Sequence, residues 1–147
     1  MVDVQWIREA ERDYPGIIRK VSKRFLEEAA AMVEQTAVRE VPVNIGDLRG
    51  SINKQVFLDR AEVGSNSEYA EWVEYGTKPH WPPREAIARW AHQKGISPDA
   101  VFPIQRKIAR EGTEEQPFLR PAIDKNRRNL LKRLAELMRA EINFGRT

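Results

Sequence analysis

Apolar residues recur at helical spacing at the start of the chain. Val4, Ile7 and Ala10 predict a short amphipathic helix over residues 2–12. The run Asp13-Tyr14-Pro15-Gly16 interrupts it, with Asp13 placed to cap the next helix and Pro15 tolerated in a first turn. That second helix is predicted over 17–39, where Ile17, Val21, Phe25, Ala29, Met32, Val33 and Thr36 fall at three- and four-residue steps. Val41-Pro42 ends it, because a residue before proline is pushed out of the α region. A polar loop holding Gly46 and Gly50 leads to a strand over 51–58, with Ile52, Val56 and Leu58 on one face and Lys54 breaking the row. Asp59-Arg60 predicts a tight turn, and 61–65 a returning strand with Val63 inward.

Tyr69, Trp72, Val73 and Gly76 lie at helical spacing, which favours a two-turn helix over a strand. A helix over 84–94 stops at Gly95, and Ser97-Pro98 starts the next, which Pro103 kinks or delays and Gly112 ends. Residues 114–119 read as an edge strand, where Pro117 is tolerable. Pro121 opens a final helix in which Ile123, Leu130, Leu134 and Leu137 form a stripe widened by Leu131, Met138 and Ile142. The fold class predicted is α+β: a small antiparallel sheet packed against long N-terminal and C-terminal amphipathic helices. The 147 residues suit one domain, 1–147, with a helical insertion at 81–115.

Charge refines this picture. The net charge is +3, from 25 basic and 22 acidic residues, so the surface is mixed and unlike that of a dedicated nucleic-acid binder. Its distribution is uneven. Residues 59–75 hold Asp59, Glu62, Glu68, Glu71 and Glu74 against Arg60 alone, whereas residues 120–147 hold eight basic residues against Asp124, Glu136 and Glu141. Two readings stay open: ordinary solvated faces, or head-to-tail complementarity in which one copy's acidic face meets a neighbour's basic face. The mean hydropathy of −0.63 sits on the polar side, as for an elongated protein or a subunit that covers apolar surface in an assembly. With no cysteine there is no disulfide framework, thiolate nucleophile or Cys-based zinc site. No apolar run approaches a membrane span and the N-terminus lacks signal-peptide layout, which leads us to expect action in a cytoplasm or a particle built there, with no membrane partner.

Candidate chemistry is sparse. His80 and His92 are separated by a proline-rich loop and match no metal-ligand spacing. The serines lack a nucleophile-elbow context, and Gly46 and Gly50 have no accompanying lysine of a phosphate loop. Glu71 and Glu74 would share one helix face, which suits an acid–base or metal-ligand pair but more commonly a solvated or ion-paired one. No catalytic, cofactor-binding or metal-binding residue is therefore assigned, and the expectation is that the protein is not an enzyme. Trp90 reads as core, and Trp81, beside His80 and Pro82-Pro83, as either an exposed anchor or a locally packed residue. Lys125, Arg127, Arg128, Lys132, Arg133 and Arg139 make the last helix basic, a solvated face or a non-specific DNA contact.

Three segments carry a resemblance. They are Val41-Pro42-Val43-Asn44-Ile45-Gly46-Asp47-Leu48-Arg49-Gly50-Ser51-Ile52, Tyr69-Ala70-Glu71-Trp72-Val73-Glu74-Tyr75-Gly76-Thr77 and Gln116-Pro117-Phe118-Leu119-Arg120-Pro121-Ala122-Ile123. In this order and spacing the chain resembles the neck and tail-completion proteins of long-tailed bacteriophages, a family that also takes in minor tail, head–tail joining and morphogenesis proteins. The chain departs from the pattern at Ile45-Gly46, where Thr-Gly is usual, and carries the 81–115 insertion that the shortest members lack. The resemblance implies a structural virion protein at the neck or tail-proximal end, found in the host cytoplasm during assembly. It implies docking on other neck or tail proteins, ring formation in some members, and no cofactor. Contact candidates are Arg49, Glu71, Glu74, Trp81, Arg127, Arg128 and Arg133; the alternative function is a DNA-contacting protein using the basic C-terminal helix.

Overall fold

A computed structural model describes residues 4–42, 46–67 and 69–144, with the side chains of the first helix from residue 15 onward. The first helix, α1, runs unbroken over Val4–Glu40, with Pro15 inside it. The predicted interruption at 13–16 is thus corrected. Proline removes one N–H and crowds the preceding turn, but helix-forming sequence on both sides carries the element through. The side chains of Trp6 and the early apolar positions lie outside the described ones.

The polar stretch after Pro42 is a short helix where a loop was expected: α2, Gly46–Ser51. Residues 43–45 of the first segment lie outside the described residues. The β1 strand (Ile52–Val56) and β2 (Ala61–Ser65) pair antiparallel with Ile52 opposite Ser65 and Val56 opposite Ala61. The tight turn holds, closed by the Phe57 N–H on the Arg60 carbonyl at 2.8 Å. The predicted apolar row of β1 does not. Ile52 is buried, Lys54 turns to Glu34 of α1 as an ion pair, and Val56 and Leu58 run out beyond the core, Leu58 being 79% exposed.

The short helix α3 spans Ala70–Tyr75, as its spacing predicted. Residues 81–115 contain α4 (Arg84–Gln93), a single 3₁₀ turn (Pro98–Ala100) and α5 (Val101–Glu111). Ser97 caps that turn by accepting the Asp99 N–H, and Gly95 and Gly112 adopt φ of +67° and +75° as helix stops. Pro103 sits in the first turn of α5, where its missing N–H has no intrahelical acceptor to lose. Trp90 is 38% exposed, against expectation. Within 81–115 the buried positions are Pro82, Ala91, Val101 and Gln105, too few to enclose an indole.

Residues 114–119 form no strand. The Gln116 N–H instead donates to the Val73 carbonyl at 2.7 Å, and the last helix, α6, begins at Leu119, two residues before Pro121, and runs to Phe144. Its pairing with α1 is antiparallel and cross-braced. Lys20 meets Glu141, Arg133 forks onto Glu28, and Lys125 meets Glu40, each with a closest approach of 2.5 Å. Between them the buried Asn126 amide donates to the Thr36 hydroxyl and the Ala122 carbonyl, both at 2.8 Å. Exposed ion pairs add little stability; here they and the buried amide fix the register of two helices whose apolar stripes alone would allow sliding. By residue count α1 is about 55 Å long and α6 about 39 Å. The α+β prediction holds: two long helices, with the hairpin laid against α1.

Candidate functional site

The core cluster joins the three segments that carried the resemblance. Val41, Leu48 and Ile52 come from the first, Phe118 and Ala122 from the third, and Val33 and Ala37 from α1; Ala70 and Val73 of the second pack against them. Leu48, Phe118 and Ala122 are 0% exposed. Around this cluster the first segment is tied by side chains. The Arg49 Nη2 donates to the Val41 carbonyl at 3.2 Å, and the Ser51 hydroxyl donates to the Leu48 carbonyl and lies 2.5 Å from that of Ser65.

Glu74 is the centre of the arrangement. It is 2% exposed, and its carboxylate accepts the N–H groups of Phe118, Leu119 and Arg120 at 2.7, 2.8 and 3.0 Å. These are the free donors at the start of α6, which any helix leaves without intrahelical partners. Arg120 closes the unit: Nε reaches Glu74 Oε1 at 3.1 Å, Nη2 reaches both the Glu74 carbonyl and Glu115 at 2.8 Å, and the guanidinium lies over the Tyr75 ring. Burial pushes the Glu74 pKa upward, but the three N–H donors and Arg120 outweigh it and hold the carboxyl below its ordinary range. The result is an ionised, fully coordinated carboxylate with no vacant lone pair facing solvent.

Two glycines lock the same region. Gly76 and Gly112, both with positive φ, bring Thr77 and Thr113 together in an isolated antiparallel bridge, N–H to carbonyl both ways at 3.0 and 3.1 Å, with their hydroxyls 3.0 Å apart. A Cβ on Gly112 would lie 2.0 Å from the Thr77 carbonyl oxygen, and one on Gly76 2.5 Å from that of Thr113. Only glycine allows the two backbones so close. The bridge joins the two ends of the stretch that holds α4 and α5.

The contact candidates therefore divide. Glu74 is buried and engaged with α6, so it presents no surface. Arg49 is half-buried against Val41, and Arg133 is held by Glu28 and Glu136. Arg133 and Arg24 together lower the Glu28 pKa to about 2. Glu71, Arg127 and Arg128 are exposed, and none of them makes an ion pair among the described residues. Trp81 is 58% exposed and edge-on to Phe102 at 6.1 Å, so it is both locally packed and accessible. Glu71 and Glu74 do not act as a pair, since one faces solvent and the other the core. Among the described residues no cluster of His, Asp or Glu could hold a metal ion, and no helix is long and apolar enough to cross a membrane.

The capping role of Glu74 was missed from sequence, though a signal existed. Gln116-Pro117-Phe118 offers α6 no Ser, Thr, Asp or Asn as N-cap, so its free donors had to find an acceptor elsewhere in the chain. The repeated Gly-Thr after two helices, at 76–77 and 112–113, was the matching signal for the bridge.

No curated protein and no solved structure matches the chain. One family profile does, over residues 5–76, and its description reads "Bacteriophage HK97-gp10, putative tail-component". The matched span is just under half of the chain and takes in α1 from its second residue through α3, hence the first segment and nearly all of the second. Over residues 5–76 the chain thus carries the sequence pattern of the HK97-gp10-like bacteriophage tail components, in agreement with the resemblance read from its own residues.

Proposed function

We propose that this protein is a structural component of a long-tailed phage virion, acting at the head–tail neck or the tail-proximal end by docking on other neck or tail proteins. The observation that carries this reading is the match of residues 5–76 to a phage tail-component family. Geometry is consistent with it, because the three segments meet in one core that can hold outward loops in place. Glu74, the two glycines and the shared core fix α3, α6 and the insertion, leaving the hairpin tip and the Trp81–Phe102 pair as outward features. We read the chain as one domain with residues 81–115 inserted, which the Thr77–Thr113 bridge supports. Docking requires no reaction, so the protein is proposed not to be an enzyme.

Ring formation belongs to the same reading, and light scattering tests it. The expected result is a mass that is a multiple of 17.0 kDa and falls with added salt. A strict monomer at high concentration and low salt, alone and with neck partners, would sink the ring. The DNA-contacting alternative rests on Arg127 and Arg128, which no internal carboxylate neutralises among the described residues. It requires duplex binding that weakens steeply with salt, and absence of binding at low salt would remove it.

A further inference from the structure

Among the apolar surface features that the described residues expose, one is convex and one concave. The first is the hairpin tip, where Val56, Phe57 and Leu58 are consecutive and exposed by 39%, 37% and 79%. Phe57 lies under the Arg60 guanidinium at 4.1 Å, whereas Leu58, at the end of a two-stranded hairpin, has no core to enter within its own chain. The second is an open groove of about 190 Å³ between α1, β2 and α6, lined by Leu26, Ala29, Val33, Ala61, Val63 and Ile123. Its small alanines leave a concavity with mostly apolar walls.

We infer that the hairpin tip of one copy seats in this groove of a second copy, a head-to-tail contact that rests on the assembly reading above and names its interface. Chemistry on both sides fits. Leu58 is the protruding apolar residue, and the next residue, Asp59, has a side chain 77% exposed with only a 3.4 Å contact to Arg60. Flanking the groove are two exposed basic residues without an ion pair among the described residues: Lys23, one turn before Leu26 on α1, and Arg127, one turn after Ile123 on α6. The Asp59 carboxylate behind the apolar plug can thus meet Lys23 or Arg127 beside the apolar slot, while Arg60 of the tip is already turned to Glu62 at 2.8 Å. Plug and slot are different patches of one molecule, so the contact is heterologous. It propagates from copy to copy and closes into a ring where the rotation allows, as a two-fold contact would not.

The absence of cysteine allows a clean test. Leu58→Cys and Ala29→Cys are made as separate proteins, their folds checked by circular dichroism, then mixed under mild oxidation. The expected product is a disulfide dimer at twice the 17.0 kDa chain mass, formed severalfold more in the mixture than with Leu58→Cys and a control Arg110→Cys, a residue on α5 outside the groove. The chain carrying both Leu58→Cys and Ala29→Cys should give a ladder of multimers. As a second reading, Leu58→Glu should lower the scattering mass of the native protein. A wild-type multimer that Leu58→Glu leaves intact, with no excess cross-linking at 58 and 29, overturns this contact and leaves the assembly reading standing. A wild type that is monomeric under all conditions, with no cross-linking, overturns the contact and the ring together.

Discussion

Replacing Glu74 should damage the protein far more than its place in a short surface helix suggests. Glu74→Ala removes the acceptor of three backbone N–H groups and the partner of Arg120, all at hydrogen-bonding distance. Loss of a helix cap costs about 0.5–2 kcal/mol. Here the Phe118 and Leu119 donors sit at the edge of a closed core, and a buried donor left unsatisfied costs a further ~1–3 kcal/mol. The terms overlap, and a total of about 3–5 kcal/mol is expected. For a chain of this size 1 kcal/mol moves Tm by roughly 2–4 °C, so a drop of about 6–20 °C should result. Glu74→Gln keeps the shape but turns an amide NH₂ toward backbone donors, and should cost about 2 kcal/mol. Glu71→Gln, three residues earlier and exposed, should stay within about 0.5 kcal/mol of wild type. Urea unfolding monitored by far-ultraviolet circular dichroism measures all three. Equal stabilities for the Glu71 and Glu74 variants would refute the assignment of Glu74 as the cap of α6.

The same geometry sets three further outcomes. Gly95→Ala should lose about 1 kcal/mol from its left-handed backbone alone, having open space around it. Gly112→Ala adds a collision with the Thr77 carbonyl and should lose about 2–4 kcal/mol, with faster hydrogen exchange at Thr77 and Thr113. Phe118→Ala should cost about 3–5 kcal/mol by chemical denaturation, whereas Leu131→Ala, at a position 65% exposed, should be nearly neutral. On acidification, Glu28 and Glu74, both with lowered pKa in the folded state, contribute stability that is complete above the ordinary carboxylate value of 4.5 and is lost as pH falls through each folded-state pKa, which for Glu28 is about 2. Glu28→Gln should flatten that loss in a pH series of thermal melts, and an unchanged slope would count against the Arg133–Glu28 fork.

Much of the fold was legible because helical period survives local exceptions. The stripe from Ile17 to Thr36, the α3 spacing, the stops at Gly95 and Gly112 and the Ser97 cap all rest on interactions within a few residues, which sequence displays directly. Errors arose where distant contacts decide. Pro15 reads as a break because the cost of proline is local, but helix on both sides absorbs it. Residues 114–119 read as an edge strand because a short extended stretch there tolerates Pro117, yet their backbone is claimed by Val73 and by the entry into α6. The candidate contacts show the same division. A carboxylate such as Glu74 looks like surface until its partners, 44 to 46 positions later, are known. Exposure of Arg127, Arg128 and Trp81, by contrast, agrees with their place on polar faces and in a proline-rich loop.

Negative-stain imaging of phage particles assembled without this protein tests the central claim most directly. A neck or tail-completion component predicts filled heads without tails beside free tails if it acts at the neck, and absent or overlong tails if it acts at the tail end. Normally tailed, infectious particles in its absence would contradict the account.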